Sequence, residues 1–264
     1  MEENDVKNII IYYFSGTGNT LKLLDVMIKS LEVENVNVKL HEIKKNNFTI
    51  PEKDGLTGFA FPINSQSASP YVWKFLKSLP RVNGLEVFVL ITLNSSSGII
   101  SPLYKLLKSK GYNVKGLCEI SMPNNMFHGT ADDKLNRERL ESAIIKTEQF
   151  SKDLLEGLAK WKSDYKGSGF VSFLSRATPL PWIFMRKFSK FIVNSSCTKC
   201  GQCVKECTVN NISMKEVPVH HRSCEFCMRC AAYCPNSAIT VKLAGKEVSV
   251  VRGRENLTIK DERI

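Results

Sequence analysis

Two short cysteine runs constrain this chain more than any other feature of its sequence. Residues 197–207 read C-T-K-C-G-Q-C-V-K-E-C and residues 224–235 read C-E-F-C-M-R-C-A-A-Y-C-P, so both have the spacing C-x2-C-x2-C-x3-C. Thiols spaced three residues apart cannot all lie on one face of a regular helix, but they can wrap a compact loop around an inorganic cluster. The spacing therefore predicts two [4Fe–4S] clusters.

Zinc and disulfide bonds fit this pattern less well. Zinc ribbons use pairs of C-x2-C, not triplets followed by x3-C. Disulfides need an oxidising compartment, and the first residues (M-E-E-N-D) are acidic, the opposite of a secretory signal. The longest apolar runs also fall short of the ~20 residues of a membrane span. We therefore expect a cytoplasmic protein, in a cell that tolerates oxygen-labile clusters.

The cysteine stretch resembles a bacterial 2[4Fe–4S] ferredoxin, including Pro235 directly after Cys234. In that pattern the fourth cysteine of each run ligates the cluster of the other run. The resemblance thus assigns one cluster to Cys197, Cys200, Cys203 and Cys234. It assigns the other cluster to Cys224, Cys227, Cys230 and Cys207. Thr208 stands where the family usually has proline. The resemblance therefore leaves the reduction potential of the neighbouring cluster undetermined, but not the cysteines that ligate it.

A glycine loop near the start of the chain predicts a phosphate site. Residues 8–14 (N-I-I-I-Y-Y-F) read as a buried strand, and a helical pattern follows the loop S-G-T-G-N-T at residues 15–20. The loop lacks the lysine of a Walker motif, and Leu21 stands where a dinucleotide fingerprint needs a third glycine. Neutral hydroxyl and N–H donors at a helix N-terminus suit a phosphate monoester. The alternative is an ordinary turn before a helix.

Five predicted strands alternate with helices, which predicts a doubly wound parallel α/β sheet. The strands are residues 8–14, 36–43, 55–61, 85–92 and 113–120. The S-G-T-G-N-T loop after a first strand resembles the FMN-phosphate loop of flavodoxins, which implies the strand order 2-1-3-4-5 and FMN held by the loops 15–20, 62–69 and 93–98. The predicted FMN-binding residues are Ser15, Gly16, Thr17, Gly18, Asn19, Thr20, Pro62, Ile63, Asn64, Ser65, Leu93, Asn94, Ser95, Ser96 and Gly98.

Some features near this site depart from many flavodoxins. Loop 62–69 has no aromatic residue to stack on the flavin ring, and loop 93–98 has no tyrosine. FMN would then be more accessible, or another part of the chain would cover its ring. Residues 121–126 resemble the M-P-x-N segment of flavodoxin domains fused to ferredoxins. The nearby His128 is either a proton donor or a solvent-exposed loop residue, and Cys118 is expected to be a buried, inert thiol.

The sequence divides into four parts. We expect a flavodoxin-like FMN domain at 1–162, a helical connector at 163–194, a small α+β ferredoxin domain with two clusters at 195–243 and a C-terminal tail at 244–264. The connector is rich in Phe, Trp, Arg and Lys. It either packs across both domains or forms an amphipathic helix on a membrane surface, and we favour the first reading because two cofactor domains suffice to explain its aromatic side chains.

As a whole the chain resembles flavodoxin–ferredoxin fusion proteins of anaerobic bacteria, the EFR-type ferredoxins. The resemblance implies electron transfer between two [4Fe–4S] clusters and FMN, with protein redox partners as donor and acceptor. Two other functions stay open: a flavin-dependent reductase of a small molecule, and a redox-sensing module. The formal charge of +11 falls to about +5 with both clusters and a flavin phosphate bound. That charge suits an acidic partner, and no nucleic-acid motif accompanies it.

Overall fold

A computed structural model describes most of the chain. The described residues are 8–43, 55–64, 66–94, 97–123, 125, 134–165, 168–178, 180–243, 246–248 and 250. The loop residues Ser65, Ser95, Ser96 and His128 lie outside these ranges. The sequence also predicts a helix from Asp132 to about Trp161, capped by Thr130 with Asp132 and Asp133 in its first turn, and these three residues lie outside the ranges too.

The first half of the chain forms a five-stranded sheet in which all neighbouring strands are parallel. Its strands are β1 (Asn8–Tyr13), β2 (Asn37–Glu42), β3 (Leu56–Pro62), β4 (Glu86–Leu93) and β5 (Asn113–Ser121). They lie in the order β2-β1-β3-β4-β5. Ile9 pairs with Val38 of β2 on one side and with Leu56 of β3 on the other, which places the first strand at the centre of the switch in strand order. The predicted flavodoxin-like doubly wound sheet is confirmed.

Helices cover both faces of this sheet, and each face has its own core. The helices are α1 (Asn19–Glu32), α2 (Pro70–Ser78), α3 (Ile100–Ser109) and α4 (Lys134–Leu155). Alternating side chains of β3 divide between the faces: Phe59 and Phe61 pack with the residues of α2 and α3, whereas Ala60 packs with those of α1 and α4. This alternation is what the two-residue period of a strand requires.

Helix α4 is shorter than the sequence pattern predicted. We expected it to continue to about residue 161, but it ends at Leu155. Gly157 adopts a left-handed conformation with φ 72°, and the N–H groups of Leu158 and Ala159 both donate to the carbonyl oxygen of Asp153. A left-handed glycine with such bonds is a common way to end a helix. The charged spacing beyond residue 155 therefore reflects an extended segment, not a helix.

The connector contains two short helices and the first strand of the second half. These are α5 (Gly169–Ala177), α6 (Leu180–Phe188) and β6 (Ser189–Val193). β6 pairs antiparallel with a strand near the end of the described chain, β9 (Ile239–Leu243). The last residues of the predicted connector therefore belong to a sheet of the cysteine-rich half.

The cysteine-rich half is a small α+β unit, consistent with the predicted ferredoxin domain. Its remaining elements are α7 (Gln202–Lys205), β7 (Ile212–Met214), β8 (Pro218–His220), α8 (Arg229–Ala232) and β10 (Lys246–Val248). β7 and β8 form an antiparallel hairpin, and the other sheet has the order β10-β9-β6. Ile212 and Ile239 are buried beside Cys203 and Cys230, where their apolar side chains exclude water from the cysteines. No helix in the described part of the chain is long and apolar enough to cross a membrane.

Candidate functional site

The glycine loop joins β1 to α1 at the carboxyl end of the sheet. Ser15 accepts a hydrogen bond on Oγ from the N–H of Leu21 at 3.3 Å, so its side chain closes the first turn of the helix. Gly18, the N-cap residue, has φ 105° and offers no side chain of its own to cap the helix. Thr20 forms a hydrogen bond with Thr92 of β4, and their hydroxyl oxygens lie 2.9 Å apart. The loop thus presents amide donors at a helix N-terminus, which is a setting for an anion.

Residues after β5 hold the outer side of this loop. Asn125 donates from Nδ2 to Oγ1 of Thr17 at 2.8 Å and to Oδ1 of Asn19 at 3.0 Å. Asn19 in turn donates from Nδ2 to the carbonyl oxygen of Pro123 at 3.0 Å. The segment that we compared with the M-P-x-N segment of fused flavodoxin domains therefore fixes the shape of the glycine loop. Asn124 and Met126 of that segment lie outside the described ranges.

A cavity of about 280 Å³ opens above the glycine loop. This volume is at the lower end of the range for small-molecule sites. Ten of the predicted FMN-binding residues line it: Ser15, Gly16, Thr17, Asn19, Thr20, Pro62, Ile63, Asn64, Leu93 and Asn94. Seven residues that the sequence analysis did not assign to FMN also line it: Thr92, Met122, Pro123, Asn125, Phe226, Cys227 and Met228. The ends of four strands (β1, β3, β4 and β5) and one cysteine run therefore surround a single cavity.

Gly98, which we predicted to bind FMN, does not line the cavity. A Cβ added at Gly98 would lie 2.7 Å from Cβ of Ser172 and 2.9 Å from the carbonyl oxygen of Ser168, so this glycine allows the close approach of α5. Gln66 holds the same contact, since its carbonyl oxygen accepts from Gly98 N at 3.1 Å and its Oε1 accepts from Ser168 N at 2.6 Å. The connector thus covers the second and third loops from outside.

The second cysteine run forms one wall of the cavity. Phe226 and Met228 flank Cys227 there, and a Cβ added at Gly16 would collide with the carbonyl oxygen of Cys227. Only glycine therefore permits this contact between the glycine loop and the cysteine run. The absence of an aromatic residue in loop 62–69 was a signal that another segment covers the cavity. The identity of that segment required the three-dimensional structure, because Gly16 and Cys227 lie far apart in sequence.

A buried arginine joins the two halves beside this contact. Arg229, the residue before Cys230, is only 8% exposed. It pairs through Nη1 with Glu42 at the end of β2, and through Nε with Glu206 at 2.5 Å. Nη1 also donates to the carbonyl oxygen of Ser15 at 3.4 Å. The two carboxylates raise the pKa of Arg229, although burial alone would lower it. We call Arg229, Glu42 and Glu206 the Arg229 ion-pair cluster.

Two further hydrogen bonds hold the same cysteine run. Glu225 accepts on Oε2 from the N–H of Tyr71, in the first turn of α2, at 2.9 Å. Burial raises the pKa of this carboxyl group, while the Tyr71 N–H acts in the opposite direction. Arg186 of α6 donates from Nη1 to the carbonyl oxygen of Cys224 at 3.0 Å. The second run is therefore fixed to the first half of the chain and to the connector.

The eight cysteines of the two runs fall into two groups. Cys197, Cys200, Cys203 and Cys234 line one small cavity together with Met214 and Ile239. The fourth cysteine of the second run thus lies with the first three of the first run, which is the arrangement that the ferredoxin resemblance implies.

The other group has the complementary composition. Burial raises the pKa of the Cys224 thiol to about 12 and that of Cys227 to about 11, and the neighbouring cysteines that add to the effect include Cys207 in both cases. The pKa of the Cys230 thiol is raised well above its ordinary value, first by burial and then by Cys227, Cys224, Cys207 and, from the first group, Cys203. These thiols would be neutral without a metal, and ligation requires the thiolate, so only bound cations could make this group anionic at neutral pH.

The two cysteine runs share the same pattern of left-handed backbone conformations. Non-glycine residues with positive φ occur at matched positions of the two runs: Lys199 and Phe226 precede the second cysteine, and Asn210 and Ser237 stand three residues after the fourth. Gly201 and Met228, with φ 77° and 59°, follow the second cysteine. Left-handed residues in such turns point successive N–H groups into one concavity, an arrangement that favours anionic phosphate and iron–sulfur groups. Left-handed backbone at three matched positions, strained at all of these residues except Gly201, is therefore a built feature of both runs.

Hydrogen bonds to sulfur follow the same symmetry. The N–H of Asn211 donates to Sγ of Cys207 at 3.1 Å, and the N–H of Ala238 donates to Sγ of Cys234 at 3.2 Å. His220 adds a contact at one group, with Nε2 3.4 Å from Sγ of Cys230. Its ring stacks on Phe191, and burial lowers its pKa to about 4, so a neutral imidazole faces this sulfur.

Within the described ranges, no three His, Cys, Asp or Glu side chains converge closely enough to hold one metal ion. Cys118, the ninth cysteine, is buried in β5 with its pKa raised to about 12, as expected for an inert thiol.

Comparisons with known proteins concern the first half of the chain. No protein-family model and no curated protein matches it. A Streptococcus pneumonia flavodoxin is similar in structure, with 15% identity, a TM-score of 0.41, and coverage of 57% of this chain and 99% of its own. Megasphaera elsdenii flavodoxin has 19% identity, a TM-score of 0.38, and coverage of 52% and 98%. Rubredoxin oxygen:oxidoreductase from Desulfovibrio gigas has 19% identity, a TM-score of 0.38, and coverage of 58% and 37%.

Proposed function

We propose that this chain is an electron-transfer protein that binds FMN in the cavity above the glycine loop and two [4Fe–4S] clusters in the two cysteine groups. The observation that carries the proposal is the contact between Gly16 and the carbonyl oxygen of Cys227. A loop suited to a phosphate and a loop suited to a cluster share one wall, so both cofactors would lie in one continuous site.

The residues of this site have separate roles in the proposal. The amides at the start of α1, with the hydroxyl groups of Thr17 and Thr20, would hold the phosphate. Phe226 and Met228 would cover the flavin and exclude water. When bound, FMN supplies one- and two-electron chemistry and each cluster supplies one-electron chemistry. Holding them in one chain replaces diffusive encounter by a fixed arrangement.

The exposure of the cysteines indicates which end of the proposed electron path faces the solvent. Cys200 is exposed, whereas Cys227 borders the cavity beside Gly16. The first cysteine group would therefore meet an external redox partner, and the second group would face the flavin. The sequence leaves the order of donor and acceptor open, and this geometry serves electron flow in either sense.

The structure offers less support for a reductase acting on a small molecule. That alternative rested on open loops at 62–69 and 93–98. Phe226 and Met228 stand at the cavity, and α5 covers the outside of these loops through Ser168 and Ser172. The space beside a bound flavin is correspondingly small. The third alternative, a redox-sensing module, has no specific observation in its favour.

Cofactor content tests the proposal. Protein purified and reconstituted without oxygen should contain about eight iron, eight sulfide and one FMN per chain. Replacing Cys200 with alanine should remove about half of the iron and leave FMN in place, whereas Cys118→Ala is the matched control and should retain all of it. Fewer than about seven iron atoms in the wild type, or the absence of stoichiometric FMN, would overturn the assignment.

A further inference from the structure

The two connector helices expose apolar side chains and bury a polar one. In α5, Phe170 is 71% exposed while Ser172 is 1% exposed and faces Gly98. Surface helices of soluble proteins have the opposite arrangement. We had expected the large connector side chains to pack between the two halves, and for most of them this expectation is wrong. The close approach at Gly98 has room only for a small residue, so the aromatic face of α5 points outward.

The second helix continues this outward face. Phe184 of α6 is 63% exposed, and its ring centroid lies 4.4 Å from that of Phe188. The exposed apolar side chains of the two helices are Phe170, Val171, Phe173, Leu180, Ile183, Phe184 and Phe188. We call this set the connector face. Single exposed apolar residues are common, but seven of them on two consecutive short helices indicate an interaction surface.

The sequence of the connector and the first cysteine run carries charge of one sign. Residues 165–205 contain no Asp or Glu, and their cationic residues are Lys166, Arg176, Arg186, Lys187, Lys190, Lys199 and Lys205. A stretch of 41 residues with seven cations and no carboxylate is unusual in a chain that contains 26 acidic residues. Of these cations, Lys187 and Lys190 are exposed next to the exposed Phe188, so basic and apolar side chains reach the solvent together at the end of α6.

We propose that the connector face docks the protein on an anionic phospholipid membrane. Phenylalanine side chains on short helices can enter the boundary between headgroups and acyl chains, and flanking lysines attract anionic lipids. A partner protein with an acidic rim would match the charge too, but the face is presented by two helices and not by a groove. The proposal rests on exposure and charge, and does not depend on which cofactors the protein binds.

Docking in this way would bring the cysteine runs to the membrane surface. Arg186 lies in α6 and binds the carbonyl oxygen of Cys224, so the helix that carries Phe184 is fixed directly to the second cysteine run. The proposed redox site and the proposed docking face therefore lie next to each other in the structure. A redox partner located in or on the bilayer would then be within reach.

Vesicle co-sedimentation of the anaerobic holoprotein tests the apolar part of the face. The probe is phosphatidylcholine vesicles containing 30% phosphatidylglycerol. Wild-type protein should bind. The double variant Phe170→Ser/Phe184→Ser should bind at least about tenfold more weakly, because two apolar groups no longer enter the lipid. The matched control is Ile145→Ser, since Ile145 of α4 is 66% exposed on another surface and should leave binding unchanged.

The exposed lysines are tested with charge variants and with lipid composition. Pure phosphatidylcholine vesicles and added salt should both weaken binding, and Lys187→Gln/Lys190→Gln should weaken it more than Lys152→Gln on α4. Absence of binding to anionic vesicles, or equal loss in the Ile145 control, would overturn the proposal. A wild-type dimer that the phenylalanine variants convert to monomer, without vesicle binding, would show instead a self-association surface. Iron and flavin content is measured in every variant. If it stays unchanged, a loss of vesicle binding does not come from a failure of the proposed function.

Discussion

Replacing Arg229 with methionine would test whether the Arg229 ion-pair cluster holds the two halves together. The substitution keeps much of the side-chain volume but leaves Glu42 and Glu206 without their shared cation in a largely buried site. Removing one partner of a buried ion pair typically costs about 3–5 kcal/mol, mostly through the stranded charge. With an m-value of about 2 kcal/mol per M, the urea midpoint would fall by about 1.5–2.5 M.

The assay is urea unfolding of the anaerobic holoprotein, followed by far-UV circular dichroism and by flavin fluorescence. The exposed pair between Lys115 and Glu86, at 3.0 Å, is the matched control. Lys115→Met should cost at most about 1 kcal/mol, because solvent screens that pair. Adding Glu206→Gln to Arg229→Met should recover part of the lost stability, since one buried carboxylate that has lost its cation disappears. Equal midpoint shifts in the Arg229 and Lys115 variants would refute the reasoning.

Three further changes probe the site and the fold. Gly16→Ala should weaken FMN binding by about tenfold or more while iron content is retained, because the added Cβ collides with the cysteine run; Gly169→Ala, in open space, is the control, and equal FMN affinity in the two variants would contradict the contact. His220→Leu should make the potential of one cluster more negative in a redox titration, because a donor to a ligand sulfur is lost, whereas His221→Leu should not; identical potentials would exclude that role. Burial raises the pKa of Glu119 above its ordinary 4.5, so the folded chain binds this proton more tightly than the unfolded chain. The stability that it contributes below about pH 4.5 is lost as the pH rises through the raised value, so Glu119→Gln should raise the Tm more at pH 8 than at pH 4.5, and a shift independent of pH would argue against it.

Local patterns were sufficient to predict most of the sheet. Apolar runs and glycine-rich breaks indicated all five parallel strands, because strand period and turn chemistry are properties of neighbouring residues. The ferredoxin resemblance implied a grouping of the cysteines that agrees with their positions in the structure, where each run forms the same local turns around Lys199 and Phe226. These turns need no information from the rest of the chain.

Such local patterns could not predict contacts between segments that are distant in sequence. Arg229 and Glu42 lie 187 residues apart, and nothing in the periodicity of either segment indicates that they pair. The wall formed by Cys227 at Gly16 depends in the same way on how the two halves pack. The aromatic connector misled the prediction for a related reason: composition indicates apolar surface, but not whether that surface faces the protein or the solvent.

We propose that the cysteine run at Gly16 brings a cluster next to the flavin. Stopped-flow reduction of the anaerobic holoprotein by dithionite, at several protein concentrations and at flavin and cluster wavelengths, tests this placement most directly. Flavin reduction should follow cluster reduction with a first-order rate constant independent of protein concentration, and it should slow in protein stripped of iron. A rate proportional to protein concentration, or an equal rate without iron, would contradict the placement.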